Sequence, residues 1–342
     1  MFYTAKITLL TAAALGLLLF TTCKKKKEPC SIEQVLFHPF TATNNNADCI
    51  NYIYVGGTAT MQNQYYPISY HMPCFNPNNP NEFCYLFKGG VGGQLRKHNL
   101  QTGEDKLIYP ISFSAPPKWG KNGKITFASG YQVYTIDEDG KNIKKLTTVP
   151  YNMYPAWLND TTIICYYSWD FPNSTRSLKI NINSNTIDTL EVSGSIFDVA
   201  KDGKILSPGT PYLFYSTYKG FCEQQLWEYK VQTHGTDSRC AAWHPNCEDI
   251  FYTAHNEGLF KVNIYSKQNT LILPHCPSRR YSNLSVSPDG NWIIAERTTM
   301  YYRDFVSPNG KKVKRNSVPF YKYTLELMDI NGNNRMELKL PE

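Results

Sequence analysis

The chain lacks any apolar run long enough to cross a bilayer as a helix, which takes roughly 20 residues; its main apolar stretch, Ile7 to Phe20, has fourteen. It also lacks extended stretches with apolar residues at i, i+3, i+4 and i+7, and that absence excludes a bundle of amphipathic helices. Neither a His-Glu-x-x-His nor a Gly-x-Ser-x-Gly motif occurs, and the seven histidines are scattered. The local signatures of zinc peptidases and α/β hydrolases are therefore missing. Positive charge is thin where a polyanion would need it. Of the formal +7, Lys6 carries one and the segment from Lys24 to Glu28 a net three, so the remainder of the chain keeps only +3. Nucleic-acid binding is not implied. What is abundant points to strands and turns: aromatics make up 14% with 25 Tyr, alongside 21 Gly and 21 Pro, a composition that favours pleated sheets and tight turns.

The amino terminus carries an export pattern. Lys6 precedes an apolar stretch with the length of a signal-peptide core, and Lys24 to Lys27 follow it; a buried helix here would drag those lysines into the interior. The segment Leu-Leu-Phe-Thr-Thr-Cys at residues 18 to 23 resembles the lipobox of bacterial lipoproteins, in which the cysteine is acylated and becomes the new N-terminus. That resemblance implies a signal peptide over 1–22, a lipid on Cys23 and a tether over 23–33. The tether lysines can lie against anionic head groups, at about 1 kcal/mol each. Phe20 and Thr22 depart from the usual pattern, which leaves ordinary signal-peptidase cleavage as the alternative. Lys24 after the acylation site is similar to lipoproteins sorted to the bacterial outer membrane, periplasmic or surface-facing. Ten cysteines in an exported chain suggest some disulfides. Acylation of Cys23 would leave nine, and their pairing cannot be read from spacing.

A short pattern recurs along the rest of the chain. An apolar residue is followed by a turn centred on Asn or Asp and then by an apolar strand, as in "SVSPDGNWIIAE" near residue 288 and "AWHPNCEDIFYTA" from Ala242. The apolar residues before the turns are Phe75, Trp119, Trp157, Val199, Trp243 and Val286, at intervals of 44, 38, 42, 44 and 43. Three residues after each anchor stands Asn78, Asn122, Asp160, Asp202, Asn246 or Asp289. An Asx side chain hydrogen-bonds its own backbone and tolerates positive φ, as a tight turn requires. Each first strand pair is followed by a second hairpin, for example "GQLRKHNLQTGEDKLIY", "GLFKVNIYSKQNTLIL" and, in the fourth unit, "QQLWEYKVQTHGTD". Four strands per unit of about 43 residues describe a propeller blade. The predicted fold is all-β, a six-bladed β-propeller of four-stranded antiparallel blades. One small twisted sheet cannot bury both faces alone, whereas several packed radially can.

The "SPDG" of Ser287–Gly290, the Trp-bearing strands before such turns, and the endings "DEDGKNIKKLT" at 137–147 and "DINGNNRMEL" at 329–338 resemble the WD40-like (PD40) repeats of TolB-type six-bladed propellers. The likeness covers residues 65–342 and is weakest in the fourth unit, where Pro208 and Pro211 break a strand. A propeller domain is assigned to 34–342. The resemblance implies that an N-terminal strand, with "EQVLF" and "NYIYVGG" as candidates, joins the last blade and closes the ring; a seventh, degenerate blade is the alternative. It also implies action through protein partners.

With strands ordered a to d from the axis outward, the tight Asx turns share one face and the variable loops share the other: Lys88–Gly93, Trp169–Thr175 and Arg303–Phe320. Variable loops on a rigid ring are where binding normally sits. The cationic tip Lys311, Lys312, Lys314 and Arg315 is accordingly the candidate binding loop, its plain alternative being a solvated hairpin tip. Three other clusters are set aside. The glycines of "KGGVGG" lack the strand-to-helix context of a phosphate cradle, Cys240, His244 and Cys247 lack a fourth zinc ligand, and Asp137, Glu138 and Asp139 are ordinary turn carboxylates. No metal, cofactor or catalytic residue is assigned, and the oligomeric state is left open. The expected function is a lipid-anchored, non-catalytic scaffold that binds an envelope protein or a glycan through its loop-rich face. The alternative is an enzyme, of lyase or glycoside-processing type, working at the axial mouth. Convergent His, Arg, Tyr and Glu around the axis would favour that enzyme, and small or apolar residues there would favour the scaffold.

Overall fold

In the computed structural model each Asx turn joins the first two strands of an antiparallel sheet, and the sheets follow one another along the chain. The structure describes residues 33–37, 52–55, 58–61 and 68–341, apart from 90–91, 113–114, 149–151, 171–173, 191–195, 209–211, 218–228, 234–237, 255–256, 307–311 and 314–318. Three short strands come first, β1 (Glu33–Phe37), β2 (Tyr52–Val55) and β3 (Thr58–Met61). The first repeat is β4 (Ser69–Asn76), β5 (Asn79–Gly89), β6 (Gly92–Asn99) and β7 (Asp105–Ile111). The second is β8 (Ala115–Trp119), β9 (Lys124–Ser129), β10 (Gln132–Asp137) and β11 (Lys144–Lys145), and the third β12 (Asn152–Asn159), β13 (Thr162–Asp170), β14 (Ser174–Asn181) and β15 (Ile187–Leu190). The fourth is β16 (Asp198–Val199), β17 (Lys204–Pro208), β18 (Tyr212–Thr217) and β19 (Tyr229–Gln232). The fifth is β20 (Ser238–Trp243), β21 (Asp249–Ala254), β22 (Gly258–Asn263) and β23 (Asn269–Pro274). The last comprises β24 (Arg279–Val286), β25 (Trp292–Val306), β26 (Lys312–Val313), β27 (Pro319–Asp329) and β28 (Met336–Glu337).

Five sheets have the expected four antiparallel strands, and the last has six, β1 and β26 being added to its ladder β24-β25-β27-β28. The second strand of each repeat explains why the sheets form a ring. In β5, Phe83, Tyr85 and Phe87 pack against Ile294, Leu325 and Leu327 of the last sheet, while Cys84 and Leu86 pack against Trp119, Ile125 and Phe127 of the second. Alternate side chains point to opposite faces, so a strand buried on both faces reads as an unbroken apolar run, here "FCYLF". The same division recurs in β25, where Ile294 faces the first sheet and Ile293 and Ala295 face the fifth. Among the described residues the core consists of six clusters, one at each junction between neighbouring sheets. Fully buried rings such as Tyr85 and Tyr252 each contribute about 1.5–3 kcal/mol. The inner strands β4, β8, β12, β16, β20 and β24 touch in succession, and β24 returns to β4. The result is a β-propeller.

All six anchors lie in the inner strands, and all six Asx residues sit in the turns that follow. Two details differ from the sequence expectation. In the fourth repeat the third strand is β18, "YLFYST", and the part of "QQLWEYKVQTHGTD" among the described residues, Tyr229–Gln232, forms the fourth strand, β19. Pro208 is the last residue of β17, and it pairs with Leu213 of β18. The N-terminal strand does join the last sheet, but ring closure is made by β24 against β4. β1 runs parallel to Tyr301–Phe305 of β25, on the edge opposite β27, because Tyr301 pairs with Glu33 on one side and Phe320 on the other. Tyr52–Val55 of "NYIYVGG" pairs instead with β3 in a separate two-stranded sheet.

Candidate functional site

The inner strands carry an irregularity that shapes the axis. In β4, β8, β12 and β24 the register slips at the same place, between the residues four and one before the anchor. The third residue before the anchor has left-handed backbone in three of them, φ 53° at Met72, 53° at Tyr154 and 46° at Asn283. For Met and Tyr that conformation costs about 1–2 kcal/mol. A β-bulge of this kind re-aims side chains, and here it sets consecutive residues against the axial space.

Two axial cavities result, lined by residues that can be indexed from the anchors. The residue just before each anchor, Cys74, Lys118, Ala156, Asp198, Ala242 and Ser285, lines a cavity of about 160 Å³ that opens among the turn residues Pro77, Lys201, Pro245 and Pro288. The residues three before, Met72, Pro116, Tyr154, Ile196, Cys240 and Asn283, line a second cavity of about 180 Å³, and Lys118 and Leu284 border both.

Most polar groups at this mouth are committed to neighbouring blades. Cys74 Sγ accepts the Trp119 N–H at 3.4 Å, Asp198 Oδ2 accepts the Trp243 N–H at 2.9 Å, and Ser285 Oγ accepts the Phe75 N–H at 3.0 Å. In each case the residue before one anchor holds the backbone of the next anchor round the ring. Lys118 reaches past the third sheet to Asp198 Oδ1 at 2.8 Å, a crossbar over the axis. Burial works against the Lys118 charge, but Asp198 and the Cys74 thiol outweigh it and raise its pKa. Trp119, 5% exposed, also borders this cavity, and its Nε1 has no acceptor among the described residues.

Beside the second cavity, Glu296 of β25 is buried and receives the Met72 N–H at 3.1 Å, Asn283 Nδ2 at 2.7 Å and His71 Nδ1 at 3.3 Å. Burial opposes its charge, yet the bonds from His71, Asn283 and Met72 prevail and hold the carboxyl below the usual range. Glu296 thus pins two left-handed bulges, one from each sheet at the closing junction. In the first sheet Asp105 plays a comparable part, accepting from Tyr85 Oη at 2.7 Å and Arg96 Nε at 2.6 Å, with His98 Nδ1 at 3.3 Å. Its carboxyl is likewise held low, with burial opposing and His98, Tyr85 and Arg96 prevailing.

The residues singled out by sequence are distributed as follows. Cys23, Lys311, Lys314 and Arg315 lie outside the described residues, and Lys312 lies in β26, where it pairs with Val306. Cys240, His244 and Cys247 are bonded apart, to Thr253 Oγ1 at 3.1 Å, Gly290 O at 3.1 Å and Pro245 O at 3.7 Å. Asp137 ends β10 and Asp139 lies in the turn after it, and they pair with Lys124 and Lys141 respectively. Lys88 and Gly89 pair with Gly93 and Gly92 in the β5-β6 hairpin. Sequence reasoning missed Lys118, Asp198 and Glu296. Position relative to the anchors would have found the first two; Glu296 carried no local signal.

No family model and no curated protein matches the chain. Among solved structures, TolB from Acinetobacter baumannii aligns over 79% of this chain and 63% of its own at 14% identity, with a TM-score of 0.51. The fold is a TolB-like β-propeller. At that identity the likeness extends to the fold alone, and the chain spans 63% of the TolB chain's length. An oligogalacturonate lyase from Vibrio parahaemolyticus aligns over 79% of this chain and 78% of its own at 11% identity, but its TM-score of 0.39 gives it no bearing on this TolB-like ring.

Proposed function

We propose that the protein is a lipid-anchored envelope scaffold, held through Cys23, that binds a protein or a glycan through its loop-rich face without chemical turnover. The supporting observation is the ring of residues facing the axis. Cys74, Ala156, Ala242 and Ser285 are small, Lys118 and Asp198 neutralise each other, and Cys74, Asp198 and Ser285 accept backbone N–H groups of the adjoining sheets. An acid–base enzyme needs titratable groups aimed at substrate; here the side chains at the mouth hold the ring together. Recognition then belongs to the variable loops, the longest of which in sequence, Arg303–Phe320, contains Lys311, Lys312, Lys314 and Arg315.

The test is capture of the tagged protein from intact membranes beside a variant with those four residues changed to Ser. Partners retained by the wild type and lost by the variant are expected. An identical partner profile would discard the loop assignment. Anchoring is checked separately by labelling with a fatty-acid analogue, and equal label on wild type and Cys23→Ser would end that part of the proposal.

A further inference from the structure

Cys74 and Cys84 stand directly opposite each other across β4 and β5. Other described cysteines have no such partner: Cys165 opposes Leu178, Cys240 opposes Thr253, and Cys276 bridges to Arg279. Directly opposed residues of antiparallel strands have Cβ atoms about 4.5–5.5 Å apart, and a disulfide needs about 3.5–4.5 Å. Closure therefore takes only a small approach, and the bulge between His71 and Cys74 lies where β4 can supply it.

The two thiols differ in access. Cys74 lines the axial cavity, whereas Cys84 has no exposed surface, so a reagent entering the mouth meets Cys74 first. Hydrogen bonding from the facing Cys84 thiol, the Lys118 ammonium and the Trp119 N–H hold the Cys74 thiol below its ordinary range, against burial and the Asp198 carboxylate. Burial pushes the Cys84 thiol well up. This is the asymmetry expected of an attacking and a resolving cysteine, because the thiolate is the nucleophile.

We propose that Cys74 and Cys84 form a thiol–disulfide exchange pair at the axial mouth, oxidised by a small disulfide that enters the cavity. The Cys74 thiolate attacks one sulfur of the small disulfide, forming a mixed disulfide and releasing the first thiolate. Cys84 gives its proton to that leaving thiolate and attacks the Cys74 sulfur, which expels the second. The protein pair loses two electrons and its thiol protons, and the small disulfide departs reduced, as two thiol molecules once the second thiolate is protonated. The exchange occurs once per molecule and does not depend on the scaffold reading.

The experiment incubates the folded full chain in graded mixtures of oxidised and reduced glutathione, quenches with acid, alkylates and maps the peptides by mass. The expected result is a Cys74–Cys84 disulfide while Cys165 and Cys240 remain reduced. In Cys84→Ser a stable glutathione adduct should remain on Cys74. A persistent adduct on Cys74 in the wild type, or no change at Cys74 in mixtures that oxidise the unfolded chain, would overturn the proposal. A wild-type measurement guards against misfolding of the variant: iodoacetamide should modify Cys74 with a half-rise below the free-cysteine value of about pH 8.5, and a half-rise at or above that value also overturns it.

Discussion

Replacing Asp198 by Ala tests the crossbar most directly, because it removes two bonds at once. Lys118 Nζ loses its partner at 2.8 Å, and the Trp243 N–H loses its acceptor at 2.9 Å. The side chains of Lys118 and Asp198 are 20% and 21% exposed, so the pair lies between two regimes. Breaking a dry pair costs about 3–5 kcal/mol, and breaking a surface pair about 0–1 kcal/mol; this partial exposure places the charge contribution here at about 1–2 kcal/mol. Stranding a buried N–H adds about 1–3 kcal/mol. Asp198→Ala should therefore destabilise by about 2–5 kcal/mol. Asp198→Asn separates the contributions, since its amide oxygen still accepts from Trp243 while Lys118 is left without a countercharge. That variant should lose about 1–2 kcal/mol. Lys118→Met keeps the stem in place and leaves Asp198 bonded to Trp243, and it should cost about 1 kcal/mol. Combined with Asp198→Asn it leaves neither charge unpaired, so the double variant should regain about 1–2 kcal/mol relative to additivity. Urea unfolding followed by tryptophan fluorescence gives the values, provided the m-values agree. Additivity within about 0.3–0.5 kcal/mol would refute the crossbar.

Three further outcomes follow from the same geometry. Ser285→Ala removes the acceptor of the Phe75 N–H at the closing junction and should cost about 1–3 kcal/mol in urea unfolding; no loss would deny that bond a part in closure. Gly290→Ala should destabilise more than Gly203→Ala: both glycines are left-handed, at φ 76° and 85°, but a Cβ at Gly290 meets His244 Nε2 at 2.6 Å whereas the space at Gly203 is open. Gly203→Ala should show only the backbone cost of about 1–2 kcal/mol, and equal losses would contradict the contact. Asp105 and Glu296 have folded-state pKa values below their unfolded ones. Their contribution is complete above the unfolded values of about 3.9 and 4.3 and is lost as pH falls through the lower folded values. Urea midpoints should drop below about pH 4, and Asp105→Asn should flatten that drop; an unchanged slope would exclude Asp105 from it.

The turn chemistry and the blades were legible because both are short-range. An Asx side chain that closes its own turn, as Asn246 does for Glu248 and Asp249, needs no knowledge of the rest of the chain. A strand buried on both faces, such as "FCYLF" in β5, announces itself by composition. The third strand of the fourth repeat was misplaced for the same local reason: Pro208 and Pro211 signalled a break in one strand, and only the ladder shows two paired strands, β17 and β18. The axis was harder, since its partners are remote. Asp198 meets a lysine 80 residues away and Glu296 a backbone amide 224 residues away, and neither contact exists until the ring closes. The bulges hid the axial positions further, because they break the alternation by which inward residues are normally counted. A partial signal was nonetheless present in "HMPCF", "APPKW" and "MYPAW", where a proline stands two residues before the anchor, as befits a strand that gives up a ladder bond at a bulge. Counting from the anchors rather than along the strands recovers the rest. The position just before each anchor yields Cys74, Lys118, Ala156, Asp198, Ala242 and Ser285 from sequence alone, and the opposite charges in that set are the pair that the ring brings together across its axis.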